Sequence, residues 1–338
     1  MRSIKKTIFL LKLFIKLTPF RLYFKVLSNY VKNLLGFLTP ASCVLGVTYR
    51  CQLNCPHCSA GKYEKEISAE LDTKEIKKIL MEIHKMGVPR LNITGGEAFL
   101  RKDIFEIVRF SSRYFITILE TNGVAENEEV IKKLKESDLS CLSVSMDCLE
   151  TKHEEIRNKK GLFENILRTL KFARKYKLPV ILSTYVTRDK INTDFFKKFE
   201  EIAKSYNVTA IRVMPLRPVG NGLLNFCEKN LLTDEDEKMI IDSINPSLFY
   251  FKGIPGPSVC GIFLKNTFYI SPYGEVQPCA YLPLSFGNIK NEDLKKILDR
   301  MWGHELFKKT KNKNCLIIDK EFREKIFKNA SELPLEIR

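Results

Sequence analysis

The chain has 338 residues, 44% of them hydrophobic, and its 56 Lys and Arg against 40 Asp and Glu give a net charge of +16. That length suffices for one barrel-sized core and a small appendage, and excludes a chain of several large domains. Ten cysteines without a secretory signal argue against a disulfide-stapled secreted module and for a reducing, cytoplasmic setting.

Residues 1–40 carry Arg2, Lys5, Lys6, Lys12, Lys16, Arg21, Lys25 and Lys32 and no acid; the first acid is Glu64. Apolar residues from Ile8 to Phe24 are interleaved with these charges, and Lys12 and Lys16 break the run too often for a spanning helix. A basic amphipathic helix lying peripherally on an anionic membrane surface suits the pattern. The alternative is an extension packed on the body of the protein with its lysines solvated. Positive charge attracts any polyanion, but no aromatic–basic recognition motif appears, so no specific nucleic-acid partner is expected.

A short strand over Val44–Thr48 leads into the run Thr48-Tyr49-Arg50-Cys51-Gln52-Leu53-Asn54-Cys55-Pro56-His57-Cys58. Three thiolates this close can hold three corners of a cubane iron–sulfur cluster and leave the fourth iron open for a substrate or cosubstrate. Three cysteines in so short a loop do not suit disulfide geometry. Structural zinc with His57 as a fourth ligand stays open at this point.

Next comes a helix capped by Asp72-Thr73, with Ile76, Ile79, Leu80 and Ile83 at helical spacing. A strand over Arg90–Thr94 ends in Gly95-Gly96-Glu97, where glycines let a ligand approach the backbone and the glutamate can accept from an ammonium group. Helices are expected near 102–113, 127–135, 162–176 and 193–206, and strands at 115–119, 140–146, 179–185 and 209–214. Six strand–helix units imply parallel strands with helical crossovers. No serine–histidine or paired-carboxylate constellation stands out, so no catalytic side chain is assigned.

After residue 217 the character changes. Arg217-Pro218-Val219-Gly220-Asn221-Gly222 is rich in breakers, and a helix follows the cap Thr233-Asp234-Glu235-Asp236. A Gly/Pro-rich linker covers 253–258. Then come Cys260, a strand through Phe268–Ile270, a turn at Pro272-Tyr273-Gly274 and a strand ending at Pro278-Cys279, with Cys315 downstream. The Lys-rich tract 308–313 reads as a solvated loop. Cys43, Cys141, Cys148 and Cys227 have no partner at ligand spacing and read as structural thiols.

The cysteine loop followed by Gly95-Gly96-Glu97 and Ala98-Phe99-Leu100-Arg101-Lys102-Asp103-Ile104 resembles the radical S-adenosylmethionine (SAM) superfamily, with Ala98 where the usual pattern has proline. The resemblance runs from about Val44 to about Ile289. It implies an α/β fold: a partial (βα)6 TIM-like barrel over 43–225, a helical N-terminus over 1–42 and a C-terminal extension over 226–338. It also implies a [4Fe-4S] cluster on Cys51, Cys55 and Cys58 whose open iron binds SAM. One electron, from a reductant such as ferredoxin or flavodoxin, would then give a 5′-deoxyadenosyl radical.

By the same resemblance, Gly95, Gly96 and Glu97 would hold the methionine amino group. Asn122, Ser145 and Asp147 would face the ribose or methionine part, with Ser183 a further candidate. Arg157 sits where relatives have an arginine followed by glycine, although here Asn158 follows. His57 would lie near the adenine. Gly274 and Cys279, preceded by Cys260, resemble the SPASM/twitch extension, and Phe286-Gly287-Asn288-Ile289 its continuation. With fewer cysteines than usual, one auxiliary cluster on Cys260, Cys279 and Cys315 is expected; three buried structural thiols are the alternative. The implied substrate is a C–H bond in a peptide, a cofactor precursor or a membrane-associated lipid. The competing reading is an iron–sulfur or zinc protein of the membrane surface without radical chemistry.

Overall fold

Aliphatic runs that alternate with amphipathic segments become strand–helix units in the computed structural model. It describes residues 2–37, 39–61, 63–64, 66–125, 127–191, 193–222, 230–251, 260–308, 315–327 and 333–337. The linker 253–258, most of the tract 308–313 and Cys227 lie outside the described residues.

The chain opens with helices α1 (Arg2–Leu17) and α2 (Tyr23–Leu34), joined through a turn at Phe20–Leu22. The units that follow are β1 (Ser42–Gly46), α3 (Thr73–Lys85), β2 (Arg90–Thr94), α4 (Ile104–Ser112), β3 (Ile116–Thr121), α5 (Glu128–Glu136) and β4 (Cys141–Ser145). Then come α6 (Glu150–Arg157), α7 (Leu162–Lys175), β5 (Val180–Val186), α8 (Phe195–Ser205), β6 (Ala210–Pro215), β7 (Phe249–Phe251), β8 (Thr267–Ile270) and β9 (Val276–Gln277). One nine-stranded sheet holds them in the order β7-β6-β5-β4-β3-β2-β1-β8-β9. All neighbours are parallel except β8 and β9, which form an antiparallel pair. Strands from beyond residue 225 therefore join both edges of the barrel sheet.

Local chemistry explains the elements. Asp72 and Glu75 form a reciprocal capping box at the start of α3, whose Ile76, Ile79, Leu80 and Ile83 are buried. Strand β1 sits two residues earlier than the sequence suggests. Beyond it, the carbonyls of Thr48 and Arg50 accept from the N–H groups of Gly96 and Glu97 instead of extending the ladder. Helix α6 was not anticipated. It ends at Asn158, whose φ of 50° is a left-handed conformation that asparagine tolerates, which is why asparagine can replace glycine here.

The sheet has two different faces. Leu91, Ile93, Leu119, Leu142, Val144, Leu182, Ile211 and Val213 face the flanking helices and are buried in the main core. The alternate residues face inward. Near the strand starts, Ile116, Ile118, Cys141, Ile181, Ala210 and Tyr250 pack against Phe9, Leu13, Leu17 and Leu22. The N-terminal segment thus forms a floor beneath the barrel, as the alternative reading of its sequence proposed. Its outer side keeps Ile4, Ile8, Leu11, Ile15, Phe20, Phe24, Leu27 and Leu34 exposed.

Candidate active site

The three thiols of the cysteine loop converge above the C-terminal strand ends, where barrels place their chemistry. Cys55 is buried, and Cys51 and Cys58 are half-buried. Burial raises the Cys51 pKa, with Cys58 adding to it, and burial pushes Cys55 up to about 12, with Arg157 opposing and the other two thiols adding to the shift. Buried soft donors that lose their protons only at a cost, gathered on one loop, fit an iron–sulfur cluster. Cys51, Cys55 and Cys58 are the residues that would hold it.

The loop is clamped from two sides. Asn122 donates from Nδ2 to Cys51 Sγ at 3.5 Å. On the other side, the N–H of Asn221 donates to the Cys58 carbonyl at 2.9 Å and its Nδ2 to the Cys55 carbonyl at 3.1 Å. A Cβ on Gly220, which has a φ of +56°, would collide with the Cys58 and Ser59 carbonyls, so only glycine lets this clamp close. Asn221 was missed by the sequence reading, although its Gly-Asn-Gly setting was visible as a turn.

The Gly95-Gly96-Glu97 turn packs on the same loop. A Cβ at Gly95 would overlap the Thr48 carbonyl, and one at Gly96 those of Tyr49 and Arg50. These glycines serve close backbone packing, a different reason from the ligand approach expected above. Glu97 is completely buried, and its carboxylate accepts from Thr121 Oγ1 at 3.0 Å and from the N–H groups of Asn122 at 2.8 Å and Phe99 at 3.1 Å. Burial raises its pKa against the pull of these donors.

A second buried acid organises the far side. Nε and a terminal nitrogen of Arg157 both approach Asp147 Oδ2 at 2.6 Å, and His57 Nε2 lies 3.3 Å from the same oxygen. Burial alone would raise the Asp147 pKa, but Arg157 and His57 hold it well below the usual carboxylate range. His57 also stacks on Tyr185, with ring centroids 4.1 Å apart. Its Nε2 thus faces Asp147 and its ring lies on Tyr185, while its Nδ1 is buried without a hydrogen-bond partner among the described residues. Buried His153 accepts the Asp147 N–H at Nδ1. Lys190, also buried, donates to the carbonyls of Asp147 at 2.7 Å and Tyr185 at 2.8 Å. Sequence reading passed over Lys190 because Arg188-Asp189-Lys190 looks like a solvated charge run.

Ser145 ends β4 beside Ser183 in the β4–β5 ladder. The Ser183 hydroxyl is shared with Ser143 at 3.0 Å and accepts from Arg212 Nε at 2.9 Å, so it points into a strand-to-strand network. Away from this centre, Cys260, Cys279 and Cys315 gather although 55 residues separate the first from the last. A Cys260–Cys315 hydrogen bond and burial raise the Cys260 pKa, and burial pushes Cys279 up to about 12 with Cys315 adding to it. Three convergent thiols fit a second cluster. A cleft is lined by Tyr49, Ser59, Thr94, Gly95, Tyr269 and Ala280, of which Ser59 follows Cys58 and Ala280 follows Cys279 in the chain.

Family comparisons match this layout. Residues 45–204 match the model of the radical SAM superfamily, and residues 260–317 match an iron–sulfur cluster-binding domain, SPASM. The chain belongs to the radical SAM superfamily and is one of its enzymes, with a SAM-binding [4Fe-4S] cluster. Within that superfamily it falls with the SPASM group, whose C-terminal domain binds auxiliary iron–sulfur clusters.

Among curated relatives, the AdoMet-dependent heme synthase of Methanosarcina barkeri is 27% identical over 299 residues, covering 79% of this chain and 83% of that protein. The mycofactocin maturase MftC of Mycolicibacterium smegmatis is 28% identical over 296 residues, covering 81% and 73%. Among solved structures, Streptococcus suis SuiB bound to S-adenosylmethionine superposes with a TM-score of 0.66 at 15% identity, covering 82% of this chain and 73% of SuiB. That likeness shows the fold, a TIM-barrel-like α/β sheet.

Proposed function

We propose that this enzyme uses its radical chemistry on an unactivated C–H bond of a peptide or a cofactor precursor. The observation that carries the reading is a pair of separate thiol trios, each close enough for its members to perturb one another, with the first at the barrel mouth. The relatives named above as a heme synthase and a maturase support that substrate range. When bound, the [4Fe-4S] cluster and SAM supply the 5′-deoxyadenosyl radical; the electron comes from a small reductant such as ferredoxin or flavodoxin.

The chain's own residues bind and orient. Glu97, with three donors already on it, keeps acceptor capacity for the methionine ammonium, and Gly95 and Gly96 bring the turn onto the cluster loop. Asn122 and Ser145 face the ribose and methionine part. Asp147 is a positioning residue that fixes Arg157 and His57, and His57 and Tyr185 flank the adenine. Ser183 acts through Arg212. Cys260, Cys279 and Cys315 hold the auxiliary cluster.

The test is anaerobic. Reconstituted wild type and a Cys51/Cys55/Cys58→Ala variant are given dithionite and SAM, and 5′-deoxyadenosine, iron and sulfide are counted. Wild type should form 5′-deoxyadenosine; the variant should form none yet retain iron at the second site. Failure of wild type with iron bound would sink the radical reading.

A second reading concerns the N-terminus, and the exposed apolar stripe of α1 and α2 supports it. Residues 1–40 carry eight basic residues and no acid, and although Lys25 turns inward onto the Tyr114 carbonyl, the segment suits an anionic bilayer surface. Among the described residues no helix is long and apolar enough to cross a membrane. Sedimentation with phosphatidylglycerol vesicles, against phosphatidylcholine, tests the contact.

A further inference from the structure

The inner face of the barrel is not uniformly apolar. On β2, Leu91 and Ile93 are fully buried, while the inward residues Arg90, Asn92 and Thr94 keep partial exposure. On β6 the same alternation leaves Arg212 and Met214 partly exposed, with Ile211, Val213 and Pro215 buried around them. These strands lie inside the sheet, and Arg90 stands opposite Ile116 of the floor, so a polar inner face runs from the floor at Arg90 to the mouth at Thr94.

The charges on that inner face do not cancel. Arg212 donates to Glu120 Oε1 at 2.9 Å, and Thr94 Oγ1 donates to Glu120 Oε2 at 2.9 Å. That satisfies one arginine. Arg90 has no carboxylate partner among the described residues, its Nε is buried without a hydrogen bond, and Asn92 Oδ1 one step along the same face is also unpartnered. Arg90 and Arg212 lie close enough to repel each other, with Tyr250 beside both. Two guanidiniums facing one acid leave an excess positive charge in a confined space, which is unfavourable unless an anion joins it.

We propose that Arg90, with Arg212 beside it, binds a carboxylate of the substrate inside the barrel. A guanidinium fork matches carboxylate geometry in a way a point charge does not. The methionine carboxylate of SAM is not the occupant. Arg90 begins β2, four residues before its end, so its backbone lies about 13 Å of strand below the Gly95 turn. A substrate acid held at that depth would suspend the rest of the molecule toward the mouth, where hydrogen is abstracted. The carboxylate could belong to a peptide or to a non-peptide acid. The inference deepens the radical reading by naming what the substrate must carry.

The binding test needs no turnover. Equilibrium dialysis of the reconstituted protein in 150 mM salt uses two radiolabelled pairs: N-acetylglutamate N-methylamide against its glutamine counterpart, and benzoate against benzamide. In at least one pair the acid should bind at least about tenfold tighter than the amide, as a charge-assisted hydrogen bond implies. The discriminating pair indicates a peptide or a non-peptide source. Arg90→Gln should erase that difference. Glu120→Gln, which removes only the competing acid, should tighten acid binding instead, a change that misfolding cannot mimic. The proposal is overturned if neither pair discriminates, or if a folded Arg90→Gln protein binds acid like wild type. Wild-type 5′-deoxyadenosine formation, read separately, tells failure of the radical reading apart from failure of this one.

Discussion

Asn122 lies with its side-chain amide 3.5 Å from the Cys51 sulfur while its backbone N–H donates to Glu97 at 2.8 Å. One residue therefore couples the cluster loop to the carboxylate proposed to hold SAM. Hydrogen bonds to cluster sulfurs favour the more negative, reduced state and so raise the potential. Asn122→Ala should shift the SAM-site cluster to a more negative potential and slow 5′-deoxyadenosine formation at least about tenfold, in line with a hydrogen bond to a charged group. Potentiometric titration followed by electron paramagnetic resonance checks this; an unchanged potential would refute the coupling.

The Asp147–Arg157 pair is buried, so losing one partner strands the other. Arg157→Met or Asp147→Asn alone should each cost about 3–5 kcal/mol of stability. The double variant should cost clearly less than the sum, because no unpaired charge remains. Urea unfolding of all four proteins completes the cycle, and simple additivity would show that the contact adds nothing.

His153 makes stability depend on pH. Burial pushes its folded pKa down to about 4 from 6.5. Between those values the unfolded chain holds a proton that the folded chain refuses, so stability is complete above about 6.5 and falls as pH drops toward 4. Between pH 7.5 and 5.5 this one group should cost about 1 kcal/mol. His153→Gln keeps an acceptor for the Asp147 N–H and should flatten that part of the profile. Denaturation midpoints at the two pH values would expose an equal slope in both proteins, the contrary result.

How much of this was legible beforehand depended on how local the signal was. Cys51, Cys55 and Cys58 declare themselves by spacing, as does the Gly95-Gly96-Glu97 turn, and the six strand–helix units follow from alternation and caps. What stayed hidden requires register. Arg90 reads as the edge of a strand until Leu91 is known to face the helices. Phe249–Phe251 is too short to announce a strand, and it pairs with β6 across more than thirty residues. The amphipathic pattern of residues 1–40 was plain, but it carries two apolar faces, and only the structure separates the one holding Phe9, Leu13 and Leu17 from the one exposing Ile8, Leu11 and Ile15.

That separation sets the vesicle experiment. Deleting residues 1–40 would uncover Ile116, Ile118 and Tyr250 and confound binding with unfolding, since each buried side chain contributes about 1.5–3 kcal/mol. Phe20 and Phe24 are 88% and 82% exposed. Changing both to Glu should leave the melting temperature within a few degrees and reduce phosphatidylglycerol-vesicle binding at least about tenfold. Undiminished binding would remove the outer face from consideration.

Strand β8 pairs directly with β1, from Ser42 opposite Thr267 to Leu45 opposite Ile270. The chain leaves β1 for the first thiol trio, while Cys260 precedes β8 and Cys279 follows β9. The register sets the attachments at opposite ends of that ladder: the first trio follows the C-terminal end of β1, while Cys260 precedes the start of β8 and Cys279, beyond antiparallel β9, runs back toward Thr267. Electron tunnelling falls off exponentially with distance, and here the distance is held by backbone hydrogen bonds with no hinge between the two ends. The sheet works as a ruler: the ladder fixes the spacing between the strands that carry the first thiol trio and the Cys260–Cys279 pair.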